Sequence, residues 1–203
     1  MEVYLEELSR RAGEYRRNLR GITRALWNGA MSFDQAFADF DDNVRIGLRN
    51  AWHYGARQCG IQPADLTPEE LTAMRQVIAQ EESRVFPFLD WAHLNNKASG
   101  GKFGPIKARA DMWALRWDDV ASRARLMACA DKALEWVQGP TSDKCPTCTR
   151  MNGKVKRASQ WQRNGVHPRA PKNRTIQCEG WQCLCELVPT DKPLSRGPLP
   201  RWP

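Results

Sequence analysis

Cysteine placement constrains this chain more than any other feature of its sequence. Of the seven cysteines in 203 residues, five fall in the stretch from Cys145 to Cys185. Two of them form a Cys-x-x-Cys pair, and the other three follow about thirty residues later. A Cys-x-x-Cys turn directs two thiolates at one ion, and a second half-site completes its shell. The spacing therefore predicts a small module built around a structural zinc ion.

Five thiols are available for the four positions of a tetrahedral zinc site. The candidate ligands are Cys145, Cys148, Cys178, Cys183 and Cys185, with His167 as a sixth candidate. We expect one zinc ion, bound by Cys145, Cys148 and Cys178 and by either Cys183 or Cys185. The side chains of Cys183 and Cys185 point the same way in an extended strand, because side-chain direction repeats every two residues. The alternative is that these cysteines form disulfides, as cysteines do outside a reducing cytosol.

The remaining two cysteines have a different sequence context. Cys59 and Cys129 lie within helical patterns, so we interpret them as small core residues and not as nucleophiles. A redox role for the Cys145-x-x-Cys148 pair would require a βαβ context, and the surrounding sequence lacks that pattern.

Apolar residues recur at steps of three and four throughout the first part of the chain, which predicts amphipathic helices. One stripe runs from Tyr4 to Leu26, and a second begins after Ser32 and ends near Gly60. A third helix should open at Thr67 with a capping box, and Pro87 should kink or end it.

A fourth, long helix is predicted from Ile106 to Leu134, after the turn-forming segment 95–104. The helical period disappears after Gly139, where only segments 154–156 and 184–188 resemble strands. We therefore expect a mainly α fold with three parts. They are a helical region (1–139), a cysteine-rich basic α+β module resembling a zinc knuckle (140–188), and an extended proline-rich tail (189–203) that is too polar to fold alone.

The positive charge of the chain is concentrated in its last third. Residues 140–203 hold 12 basic and 4 acidic side chains, which accounts for the whole net charge of +8. Clustered lysine and arginine indicate contact with a polyanion such as DNA. The predicted contact residues lie between the two cysteine half-sites and are Lys154, Lys156, Arg157, Arg163, Arg169, Lys172 and Arg174.

Signatures of catalysis are weak, and we expect no enzymatic activity. A zinc deaminase needs His-x-Glu before its cysteine pair, and no histidine here has glutamate two positions later. An HNH-like nuclease would need His167 as its catalytic histidine, but a surface or turn histidine before Pro168 is the simpler interpretation. We therefore name no catalytic residue and no small-molecule substrate.

Two further classes are disfavoured by hydropathy. No stretch approaches the roughly 18 consecutive apolar residues that a membrane-spanning helix needs. The first residues alternate in charge where a secretory signal would be apolar, so we expect neither membrane insertion nor classical secretion.

Three short motifs together resemble a known family. They are a helical segment ending in Ala-Leu-Glu-Trp (133–136), the run Cys-x-x-Cys-x-x-x-Asn-Gly-Lys-Val (145–155), and Cys-Glu-Gly-Trp-Gln-Cys-Leu-Cys (178–185). This pattern is similar to the C-terminal signature of phage head morphogenesis proteins of the Mu F-like minor head class, over roughly residues 106–190. Leu184 stands where the family usually has arginine, Cys178 stands where it often has histidine, and the usual Pro-Pro is missing.

The resemblance implies a minor structural protein of a tailed-phage head. Such a protein would dock on portal or major capsid subunits, act in head assembly or genome delivery, and lie close to packaged DNA. It would be found in the virion after assembly in the host cytoplasm. The competing interpretation is a stand-alone zinc-knuckle DNA-binding protein or HNH-like nuclease.

Overall fold

A computed structural model describes residues 2–129, 132–140, 144–169, 174–180 and 183–199. Its helices are α1 (Glu2–Asn28), α2 (Phe33–Arg57), α3 (Pro68–Glu82), α4 (Val85–Leu94), α5 (Phe103–Ala128), α6 (Pro146–Met151) and α7 (Ala158–Arg163). The strands are β1 (Ala133–Val137), β2 (Val155–Arg157) and β3 (Glu186–Pro189). The predicted mainly α fold with a small cysteine-rich module is confirmed. Among the described helices, none combines the length and hydrophobicity needed to cross a membrane.

Helix boundaries follow local capping chemistry. The Ser32 hydroxyl accepts a hydrogen bond from the Gln35 amide at 3.2 Å, just before α2. Before α3, the Glu70 amide donates to the Thr67 hydroxyl at 3.2 Å and the Thr67 amide donates to the Glu70 carboxylate at 2.8 Å. This is the predicted capping box. α3 ends at Glu82, and α4 begins with Pro87 in its first turn, where proline is tolerated.

The first of two compact units comprises Met1–Ala51 and Leu71–Trp117. Its core is aromatic: the ring of Trp113 lies 5.4 Å from that of Phe40 and 4.8 Å from that of Phe88. The hydroxyl of buried Tyr15 donates a hydrogen bond to the Trp113 carbonyl at 3.2 Å. A Cβ on Gly47 would lie 2.2 Å from the Tyr15 ring, so α1 and α2 approach closely because this position has no side chain.

The second unit comprises Trp52–Glu70 and Asp118–Pro203. It contains an antiparallel sheet in the order β2-β1-β3, in which Leu134 pairs with Lys156 and Trp136 pairs with Leu187. Alternate residues of β1 are buried, and Trp161 of α7 donates from Nε1 to the Leu134 carbonyl at 3.1 Å. The predicted boundary after residue 139 lies inside this unit. β1 precedes that residue and pairs with β2 and β3, which follow it in sequence.

The predicted extent of the fourth helix is wrong. α5 ends at Ala128, and residues 133–137 form the central strand β1, where a helix to Leu134 was expected. Alanine, leucine and glutamate favour helices in isolation. Both edges of β1 are hydrogen-bonded in the sheet, and Leu134 and Trp136 are fully buried on one face. Strand pairing and burial therefore override the helix preference of these residues.

The described residues after β3, 190–199, lie outside helices and strands but are held against β2. The Ser195 amide donates to the Val155 carbonyl at 2.9 Å, and the Val155 amide donates to the Ser195 hydroxyl at the same distance. Lys156 donates from Nζ to the Ser195 carbonyl at 2.6 Å and to the Gly197 carbonyl at 2.5 Å. Hydrogen bonds to β2 therefore fix the position of this segment, although its composition predicts that it is too polar to fold alone.

The two cysteines outside the cluster form a disulfide, which the sequence did not predict. Cys59 and Cys129 are buried, as expected of core residues, and their Cα atoms are 5.2 Å apart although the two residues are 70 positions apart in sequence. The Nζ of Lys132 donates to the Cys59 carbonyl at 2.6 Å. The disulfide thus joins the segment after α2 to the residue that follows α5.

Candidate metal centre

The Cys-x-x-Cys pair lies at the start of α6. Cys145 is the residue preceding the helix, Pro146 occupies its first position, and Cys148 is buried within it. Proline suits that position because the first helical amide has no partner inside the helix. The helix closes with the Asn152 amide donating to the Cys148 carbonyl at 2.9 Å, and Gly153 follows with φ of 77°. Local sequence therefore places both thiols on one short helix.

The other three cysteines lie on two segments outside regular structure. Cys178 belongs to a turn at 174–180, which is joined to α6 by a 3.2 Å hydrogen bond from the Gln177 amide to the Thr147 hydroxyl. Cys183 and Cys185 immediately precede β3, and both are buried.

The structure brings the sulfurs of all five predicted ligands together. They form two groups, Cys145 with Cys148 and Cys178, and Cys148 with Cys183 and Cys185, each with its sulfurs within 4.8 Å of one another. Cys148 belongs to both groups. All five are free thiols, so the disulfide of this protein lies outside the predicted cluster.

Backbone N–H groups influence the pKa values of four of the thiols. Those of Cys148 and Cys178 lower the pKa of Cys145, and that of Gly180 opposes the rise in the pKa of Cys178. The N–H of Arg169 lowers the pKa of Cys183, and that of Gly139 opposes the rise in the pKa of Cys185. Because N–H dipoles stabilise negative charge on sulfur, these contacts favour the thiolate, which is the form that binds metals.

The thiols also perturb one another. Hydrogen bonds from Cys148, Cys178 and Cys185 lower the pKa of Cys183. The pKa of Cys148 is raised, because its thiol proton is held by hydrogen bonds to Cys178, Cys183 and Cys185. Burial raises the pKa of Cys145, but the amide hydrogen bonds outweigh burial and the net pKa is lowered. The ionisation of each thiol therefore depends on the other thiols of the cluster.

This donor set fits zinc. A tetrahedral ion with Zn–S bonds of about 2.3 Å separates its sulfurs by about 3.8 Å, which agrees with groups whose sulfurs lie within 4.8 Å of one another. Soft thiolates favour zinc over oxygen-preferring cations such as Mg²⁺ and Ca²⁺. Cys183 and Cys185 lie in the same group, so both remain candidates for the fourth position.

The predicted DNA-contact residues divide into internal and exposed side chains. Lys156 is buried against Ser195 and Gly197, and the Arg169 side chain forms ion pairs with Asp118 and Glu186. Arg157, Arg163 and Arg174 are exposed and Lys154 is half-buried. Lys172 lies outside the described residues. We therefore remove Lys156 and Arg169 from the proposed contact surface.

His167, the residue considered for nuclease chemistry, is half-buried. Its Nδ1 lies 3.9 Å from a carboxylate oxygen of Asp119, which is fully buried. This neighbour was not predicted, because Asp119 lies on α5, far from His167 in sequence.

Gly139 and Arg169 support the cluster in ways that the sequence did not reveal. The sequence predicts a boundary after Gly139, but Gly139 packs directly against the segment that carries Cys183 and Cys185, because a Cβ there would meet the Leu184 carbonyl. The sequence predicts that Arg169 contacts DNA, because the segment around it is rich in basic residues.

Comparisons with protein-family models, curated proteins and solved structures found no match to this chain. The resemblance to phage head morphogenesis proteins stays a prediction from sequence.

Proposed function

We propose that this chain is a minor structural protein of a tailed-phage head whose second unit is held together by one zinc ion. The protein docks through its helices on portal or major capsid subunits and acts in head assembly or genome delivery. The observation that carries the proposal is the convergence of five thiols around Cys148, because the same cysteines carry the sequence resemblance. When bound, zinc would supply a cross-link among three segments: α6, the turn at 174–180, and the residues preceding β3.

A structural role agrees with the position of the thiols inside the local core. The hydrophobic cluster of the second unit includes Cys148, Cys183 and Cys185 themselves, beside Trp136 and Trp161. Thiols that ionise without a metal would place charge in this apolar cluster, which is costly. Zinc binding by four thiolates leaves a net site charge of −2 shared over the ion and its ligands.

Elemental analysis of purified protein tests the zinc proposal. We expect one zinc per chain, lost in Cys148→Ser and retained in a variant that replaces the disulfide cysteines, Cys59→Ser with Cys129→Ser. A strong chelator should unfold the second unit while helical circular dichroism from the first unit persists. Metal-free protein with the second unit still folded would contradict the proposal.

The role in the head requires a separate measurement. Quantitative mass spectrometry of purified heads should detect the protein, and crosslinking should join it to portal or capsid subunits. A Lys154, Arg157, Arg163 triple glutamine variant should bind DNA more weakly, with a shallower salt dependence, and should still enter heads. Normal DNA affinity with loss of incorporation would assign these side chains to protein docking.

A stand-alone zinc-dependent DNA-binding protein is the second candidate. The exposure of Arg157, Arg163 and Arg174 favours it. This candidate predicts salt-sensitive DNA binding by the free monomer and absence from purified heads. DNA cleavage that is abolished by His167→Ala would instead support a nuclease.

A further inference from the structure

Arg169 is the most constrained cation near the cysteine cluster. Its side chain is only 18% exposed. Its backbone has φ of 65°, a left-handed conformation that residues other than glycine rarely adopt. This conformation is unfavourable for a residue with a Cβ, so the surrounding contacts must favour it.

The Arg169 guanidinium contacts the segment that carries two of the candidate ligands. Its Nε donates to the Cys185 carbonyl at 3.0 Å, and a terminal nitrogen donates to the Leu184 carbonyl at 3.2 Å. One side chain thus binds the carbonyls of two consecutive residues of the Cys183-Leu184-Cys185 segment.

Two carboxylates fix the guanidinium from the other side. Arg169 pairs with Asp118 of α5 at 3.0 Å and with Glu186 of β3 at 2.7 Å. A guanidinium has five donors in a rigid plane, whereas a lysine ammonium is a single point of attachment. Only arginine can therefore bind two carbonyls and two carboxylates together from this position.

We infer that Arg169 is a positioning residue of the metal centre, which fixes the Cys183–Cys185 segment in the geometry that one zinc ion requires. The segment lies outside regular strand pairing, so its backbone carbonyls depend on such a donor. α5 supports the same region a second time, because buried Arg125 donates to the Leu187 carbonyl of β3. This inference rests on the zinc site proposed above. It assigns Arg169 to metal retention, in place of the DNA contact expected from sequence.

Three variants test the assignment: Arg169→Gln removes the guanidinium, Arg169→Lys keeps the charge, and Arg163→Gln is a control at an exposed arginine of α7. We expect both Arg169 variants to release zinc to a chelator about 10-fold to 100-fold faster than wild type, the range typical of residues that orient metal ligands. Their cobalt-substituted forms should show shifted d–d absorption bands. Arg163→Gln should match wild type in both measurements.

Site-resolved alkylation of folded protein, as purified and without chelator, supplies a second readout. Arg169→Gln should increase the labelling of Cys183 and Cys185 relative to that of Cys145. Unchanged zinc release and cobalt spectra in both Arg169 variants would overturn the inference, even if thermal stability fell. Absence of zinc from the wild-type protein would instead refute the proposed function. If Arg169→Gln then also left the labelling of Cys183 and Cys185 unchanged, the positioning role of Arg169 would be refuted as well.

Discussion

Gly139 lies against the carbonyl of Leu184 so closely that a Cβ at this position would be 2.2 Å from the Leu184 oxygen. The absence of a side chain therefore lets the segment after β1 run directly beside the segment that carries the last two cysteines.

Substituting Gly139→Ala should damage the metal centre. The added methyl group would meet backbone, which cannot rotate away, and overpacking of this kind costs about 1–3 kcal/mol. We expect faster zinc release and a lower unfolding midpoint for the second unit. Gly104→Ala is the matched control, because a Cβ there meets no atom within 4 Å. Equal zinc release by the two variants would show that the contact between Gly139 and Leu184 is not tight in solution.

The disulfide predicts a specific thiol count. Protein unfolded with a chelator and without reductant should show five reactive thiols per chain, and reduction should raise the count to seven. Because the bond closes a loop of 70 residues, replacing Cys59 and Cys129 by alanine should cost about 4 kcal/mol in the loop-entropy model. Seven thiols without reductant would show that the pair is reduced, as is usual for proteins in a reducing cytosol.

The aromatic core of the first unit predicts a large effect at Trp113. Trp113→Ala should lower the free energy of unfolding by about 3–5 kcal/mol, because it removes an indole packed against Phe40 and Phe88. Met112→Ala is the control on the same helix, since that side chain is 40% exposed. A Trp113 effect below about 1 kcal/mol in urea denaturation would contradict a core role for this residue.

Asp111 predicts a pH-dependent contribution to stability. Burial raises the pKa of Asp111, but hydrogen bonds from Lys107 and Arg20 outweigh burial, so the pKa lies below its ordinary value. The stabilisation is therefore present above the unfolded pKa of about 3.9 and is lost as the pH falls through the folded pKa. Asp111→Asn should lose about 0.5–1 kcal/mol at neutral pH, the range for partly exposed ion pairs.

Urea denaturation across pH measures this contribution. The difference between wild type and Asp111→Asn should shrink steadily below about pH 4. Asp191→Asn, at an exposed carboxylate, is the control. A difference that stays constant down to pH 2 would show that the effect does not come from ionisation of Asp111.

Local sequence patterns predicted much of the fold. The helix start after Ser32, the capping box at Thr67, the break near Pro87 and the start of the long helix after segment 95–104 depend on neighbours in sequence. Each is present in the structure. The cysteine cluster was also predictable, because ligand spacing is itself a local pattern. β1 was not, since its strand conformation depends on partners about 20 and 50 residues later.

The supporting residues of the site could not be predicted for a related reason. A basic segment looks the same in sequence whether its cations face solvent or bind carbonyls inside the protein. Lys156 binds the carbonyls of Ser195 and Gly197, and Arg169 binds those of Leu184 and Cys185. The disulfide depends on the folded proximity of two positions separated by 70 residues, which no local pattern encodes.

The strand order β2-β1-β3 has a consequence for synthesis on the ribosome. The central strand is made first, and its second edge stays unpaired until residues 186–189 emerge. The Ser195 contacts with β2 require six residues more. At about 5–20 residues per second, the nascent chain presents Cys145 and Cys148 for several seconds before their partners exist. Chaperones and cellular thiols therefore meet an incomplete cluster, and closure of the second unit must follow translation of its last segment.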